Sequence, residues 1–110
     1  MKDIEDSVIQ EMVSRVAAEF DPEEVILFGS RAWGEPSEES DVDLMVVVAA
    51  SDVAPTQRAL RARRCLRGIS MPKDVLVTTR EEFTRRASVR ASLERKIRER
   101  GKVLYARRQG

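Results

Sequence analysis

The chain has 110 residues, 42% of them hydrophobic, and a formal net charge of +1, which is enough for one core and one domain over 1–110 but hardly for two. No apolar run approaches the ~20 residues of a membrane span, and the sequence opens on Lys2, Asp3, Glu5 and Asp6 rather than on a signal peptide, so a cytoplasmic protein without a membrane role is expected. Histidine is absent, which excludes a Ser-His-Asp triad, a histidine general base and any histidine-containing metal site, and leaves carboxylates to do such work. The single cysteine, Cys65, cannot form an internal disulfide and lies beside Leu66 in a helical pattern, where it reads as buried filler.

Residues 4–20 place Ile4, Val8, Ile9, Met12, Val13, Val16 and Phe20 at helical intervals, with Asp3 as cap and Asp21-Pro22 as stop. Val25 to Phe28 is a short β-rich run ending at Gly29, and reads as a buried strand. Gly34 to Ser40 is a solvated loop, and Asp41 to Ala49 carries the clearest strand signal. Pro55 suits the first turn of an Arg-rich helix over 56–67 that ends at Gly68. Asp74 to Thr78 is a third strand. Thr79 followed by Glu81 and Glu82 resembles a capped helix start, with helix continuing to about Arg100 and a break near Ser88. Gly101 stops it, Lys102 to Tyr105 is a last short strand, and Arg107 to Gly110 is expected to fray.

This order predicts a two-layer α/β (α+β) domain, with a mixed sheet of about four strands and flanking helices. The run Val42 to Val48 lacks polar alternation after Asp43, so that strand should be central and covered on both faces. Covering both faces is hard at this length, which suggests that self-association or a partner chain covers part of the sheet. Residues 1–54 carry 14 acids and 3 bases, whereas residues 55–110 carry 5 acids and 17 bases. Either the two halves interleave and compensate, or a basic surface faces phosphates, nucleic acid or an acidic partner.

Chemistry concentrates at three carboxylates. Residues two apart on a strand point to one side, so Asp41 and Asp43 lie together, and such a pair calls for a cation or proton to neutralise it. Mg²⁺ suits oxygen ligands of this kind. If the Asp74 strand lies next to the Asp43 strand, three acids converge, which suffices for two ions ~3.5–4 Å apart on a phosphoryl-transfer centre. An Asp-x-Asp alone is equally a loop edge and a turn. Its context is Gly29-Ser30-Arg31-Ala32-Trp33-Gly34, a glycine turn after a strand and before a helix start, where Gly29 admits a phosphate and Ser30 can donate to it. No lysine follows Gly34, so this is not a Walker loop.

The stretch Leu27 to Gly34 followed by Ser40-Asp41-Val42-Asp43-Leu44 resembles the signature of the minimal nucleotidyltransferase family of the polymerase-β-like superfamily, and Asp74 and the Ile97–Tyr105 end match its later elements. The resemblance spans nearly the whole chain. Trp33 stands where the family often has arginine.

The resemblance implies a nucleotidyltransferase fold, with Asp41, Asp43 and Asp74 holding two Mg²⁺ ions and Gly29 and Ser30 holding a nucleoside triphosphate, ATP being the expected donor. Asp74 would also help deprotonate the attacking hydroxyl. Arg31 is read either as neutralising transition-state charge or as structural. The family further implies an antitoxin that adenylylates a HEPN-type ribonuclease toxin. A non-catalytic antitoxin that acts by binding, and transfer to tRNA or a small molecule, are the alternatives. The nucleic-acid reading draws on Arg58, Arg61, Arg64 and Arg67 and on the Arg95, Lys96, Arg98, Arg100 cluster. No aromatic residues interleave these bases, which keeps that reading minor. Trp33 and Tyr105 read as packing residues.

Overall fold

A computed structural model describes residues 4–35 and 40–107. The elements run α1 (Ile4–Phe20), β1 (Glu24–Phe28), α2 (Ser30–Trp33), β2 (Val42–Val48), α3 (Pro55–Cys65), β3 (Lys73–Thr79), α4 (Arg80–Ala87), α5 (Leu93–Arg100) and β4 (Lys102–Ala106). The expected cap at Asp3 and most of the expected loop between Gly34 and Ser40 lie outside the described residues.

α1 ends where its pattern ends. Asp21 takes a left-handed φ of 46° while its N–H donates to the Ala17 carbonyl at 3.0 Å, and Pro22 then forbids another turn. The four strands form one mixed sheet in the order β3-β2-β1-β4. β1 is antiparallel to both β2 and β4, with a register shift against β4 between Val25 and Ile26. β2 and β3 are parallel, a pairing that requires a crossover, which α3 supplies.

Strand alternation sorts the apolar side chains into two clusters. Val25 and Leu27 of β1 and Val42, Leu44, Val46 and Val48 of β2 meet Met12, Val13 and Val16 of α1, Ala62 of α3, and Leu66 just beyond it. Ile26, Phe28, Met45 and Val47 meet Phe83 of α4 and Ile97 of α5. β2 is therefore central and doubly covered, its apolar side chains no more than 7% exposed. The chain's own helices provide that cover, so β2 needs neither self-association nor a partner to hide it.

The helix joints follow local rules. Thr79 Oγ1 accepts from the Glu82 N–H at 3.1 Å while Glu82 Oε1 accepts from the Thr79 N–H at 3.1 Å, a reciprocal capping box at the start of α4. The expected break after Ser88 is a turn, after which Ser92 Oγ accepts from the Arg95 N–H at 3.0 Å and restarts the chain as α5. α5 ends at Gly101, whose backbone turns extended while its N–H donates to the Ile97 carbonyl at 2.8 Å, and a side chain there would collide with Ile26 and with that carbonyl. Arg107 departs from the expected fraying, since its N–H donates to the Glu23 carbonyl at 2.9 Å and its guanidinium reaches Asp21 at 3.2 Å.

The arginine series of α3 is not one stripe. Steps of three residues drift about 60° per step around a 3.6-residue helix, so Arg58 and Arg64 lie about 120° apart, and Arg67 lies in the turn beyond α3. Arg58 is buried at 6% exposure and forks onto Glu82 at 2.8 and 3.2 Å. Arg61 pairs with Glu19 at 2.7 Å and covers the Phe20 ring at 4.9 Å. Two of the four arginines on which the minor nucleic-acid reading draws are thus engaged within the fold.

Candidate active site

β2 presents Asp43 as its second residue, on the same face as Met45 and Val47, and the parallel register sets Asp43 directly beside Asp74 of β3. On the other side Asp43 is opposite Phe28, the last residue of β1. Three strand ends thus meet at one carboxylate. Asp43 is half-buried, whereas Asp41 and Asp74 are exposed. Asp41 falls one residue before the ladder, not within it as expected, and its neighbour Val42 is fixed by an N–H to Pro72 carbonyl bond of 2.9 Å. Burial, then the negative charge of Asp74, then that of Asp41, push the Asp43 carboxyl above the usual carboxylate range. The three acids therefore share one electrostatic field.

Gly29 is bound to this geometry. It adopts φ +78°, and a Cβ there would run into the Asp43 carboxylate, so glycine is required both by its backbone angle and by the close approach of Asp43. Its carbonyl accepts from the Ala32 and Trp33 N–H groups at 2.9 and 3.0 Å, which closes the turn into α2. α2 is only four residues long, so the dipole expected at its start is small, and the turn itself positions Ser30. Arg31 donates from Nε and from a terminal nitrogen to the Ser40 carbonyl at 3.1 and 3.0 Å.

The structure also assembles a group that the sequence did not disclose. Trp33 packs partly buried against the second core cluster, tilted against Phe28 with ring centroids 6.3 Å apart. The Lys96 ammonium lies 4.7 Å from the Trp33 ring centroid and the Arg100 guanidinium 5.9 Å. Both cations border a cleft of about 310 Å³ that Arg90, Ser92, Arg95 and Glu99 also line. The cation spacing in α5 was visible in the sequence, but the contact of Lys96 and Arg100 with Trp33, far away along the chain, was not.

A family model described as polymerase beta, nucleotidyltransferase, matches residues 10–110. The chain belongs to this nucleotidyltransferase family. Among solved structures it is similar to a candidate nucleotidyltransferase from Sulfolobus solfataricus, with 26% identity, a TM-score of 0.66, and coverage of 94% of this chain and 82% of the other. A comparison with curated proteins finds no match. The α+β architecture and mixed four-stranded sheet expected from the sequence are those of a nucleotidyltransferase fold.

Members of this family need a binding site for a triphosphate and for cations, and the donor set here is all carboxylate oxygen, which suits a hard divalent ion. Among the described residues no group of three such side chains is arranged to hold a metal ion, so the three-acid metal set expected from the sequence is not assembled in this structure. Mg²⁺ is usually held by one or two carboxylates completed by substrate phosphates. Burial, and then the charges of Asp74 and Asp41, disfavour the ionised Asp43 carboxylate, and a cation at this position would relieve the like-charge part. Also among the described residues, no helix is long and apolar enough to cross a membrane.

Proposed function

We propose that this nucleotidyltransferase moves a nucleoside monophosphate, AMP from ATP, onto a Tyr, Ser or Thr hydroxyl of a partner protein, and that the partner is a HEPN-type toxin for which the chain is the antitoxin. The observation that carries the catalytic part is the Asp43–Asp74 register with the Gly29 turn packed on Asp43. Asp41, Asp43 and Asp74 would hold Mg²⁺, which when bound neutralises the triphosphate and the charge that develops on the attacking and leaving oxygens. Gly29 lets the turn close onto the Asp43 carboxylate, and Ser30, which follows it at the turn, would donate to phosphate oxygens. Asp74, exposed at the site's outer side, accepts the proton as the acceptor oxygen bonds to the α-phosphorus and pyrophosphate leaves. ATP as donor and the toxin partner rest on family resemblance alone.

A protein acceptor is supported by the α5 cleft. Its four cations lie on the catalytic face of the sheet, attached through Trp33 and Phe28 to the strand end opposite Asp43. They offset the repulsion that the acidic centre exerts on an acidic protein surface. Trp33 is covered by these cations and is not offered for base stacking, and Arg58 and Arg61 are paired internally, which weakens a nucleic-acid acceptor. Intact-mass spectrometry of the co-expressed partner tests the reading. An added adenylyl mass that depends on Asp43 supports it, and an unmodified partner in cells where the chain still neutralises toxicity favours a binding antitoxin.

A further inference from the structure

We infer that Arg31 is a positioning residue for Asp41, fastening the glycine turn to the carboxylate loop so that the two sides of the active site move as one. The inference rests on the carboxylate reading above. Arg31 donates twice to a single carbonyl, that of Ser40, at 3.1 and 3.0 Å, and Ser40 immediately precedes Asp41. Asp41 lies outside the β2 ladder, so its position depends on how the residues on either side of it are held. Val42 fixes one side through Pro72 at 2.9 Å, and the Arg31 fork fixes the other.

The fork has a firm base. Arg31 sits in α2 between Gly29, which lies too close to the Asp43 carboxylate for any side chain, and Trp33, which is packed on Phe28. A displacement of the turn is therefore transmitted through Arg31 to Ser40 and Asp41. A lysine keeps the charge but cannot place two donors in a planar fork, so it separates this role from charge neutralisation at a phosphate. Partners that orient a metal ligand typically change metal affinity by ~10–100-fold when removed.

The test measures Mn²⁺ binding by electron paramagnetic resonance on the full chain with ATP present, for wild type, Asp43→Asn, Arg31→Lys and Arg31→Ala, each checked by its thermal melt. The expected result is Mn²⁺ bound by wild type and lost in Asp43→Asn. Arg31→Lys should bind Mn²⁺ about tenfold more weakly while a fluorescent ATP analogue without metal binds as to wild type. Methylguanidinium should restore Mn²⁺ affinity to Arg31→Ala, which keeps the test decisive if the lysine variant folds poorly. An Arg31→Lys protein that binds Mn²⁺ as wild type does, or one that loses the ATP analogue instead, overturns the positioning role while the carboxylate site stands. A wild type that binds no Mn²⁺ overturns the carboxylate site and the inference together.

Discussion

Asp43 is held in a place that its own chemistry disfavours. Half-buried, with Asp74 beside it and Asp41 nearby, its carboxyl is pushed up, so the folded chain holds that proton more tightly than the unfolded chain. The resulting stabilisation is present at low pH and is lost as pH rises through the folded value, and at neutral pH the ionised group opposes folding. Asp43→Asn should therefore raise the melting temperature of the metal-free protein while lowering transfer activity by about a hundredfold or more, equivalent to several kcal/mol of transition-state stabilisation. Differential scanning calorimetry and turnover on the same preparation check both signs. Gly29→Ala is the complementary case. At φ +78° and against Asp43 it should destabilise by about 1–3 kcal/mol and reduce Mn²⁺ affinity, read by urea melts and metal titration.

At the scale of the elements, much was legible because it is local. Glycine after a β-rich run, Asp-x-Asp at a strand start, and Thr79 three residues before Glu82 are rules of neighbours, and they placed β1, Asp43 at the start of β2 and the α4 cap. The convergence of Asp74 was conditional, because nothing local states that β3 lies parallel to β2 with Asp74 level with Asp43. Arg58 falls to the same limit. Its spacing groups it with Arg61, Arg64 and Arg67, but its partner Glu82 is 24 residues later, across the β3 strand and the capping box.

That pair makes the capping residue a tertiary joint. Arg58, the Thr79 N–H and Thr78 hold the Glu82 carboxyl below the usual 4.5, at about 2. The stability it contributes is whole above the usual value and is lost as pH falls toward about 2. Urea midpoints measured from neutral pH down to about pH 3 should fall in wild type and fall less in Arg58→Ala, which already lacks the pair. Because Arg58 is buried, that substitution should cost about 3 kcal/mol at neutral pH, against about 1 kcal/mol for Thr79→Ala.

Over the whole molecule, the opposed charges of the two halves resolve by interleaving. Arg61 reaches Glu19, Arg80 reaches Glu23 at 2.8 Å, and Arg107 reaches Asp21, so second-half cations meet first-half acids around α1 and β1. Among the described residues the cations of α5 are one exception, since the cleft they line contains one acid, Glu99, against Arg90, Arg95, Lys96 and Arg100; Arg63, Arg64, Arg67 and Lys73 line another with no acid. Reversing Lys96 and Arg100 to glutamate should lower transfer to a protein acceptor about tenfold or more and leave binding of ATP unchanged, with the wild-type rate falling as salt is added. Steady-state rates at fixed ATP and varied acceptor, repeated at two ionic strengths, check this.

The central claim is that Asp41, Asp43 and Asp74 make this chain a working nucleotidyltransferase with a protein acceptor. The most direct test is Mg²⁺-dependent transfer from ATP labelled at the α-phosphate into native lysate, comparing wild type with an Asp41→Asn, Asp43→Asn double variant. A labelled protein band that vanishes with the double variant is the predicted result. Label that appears equally with the double variant, or no label with wild type although ATP is bound, would contradict the account.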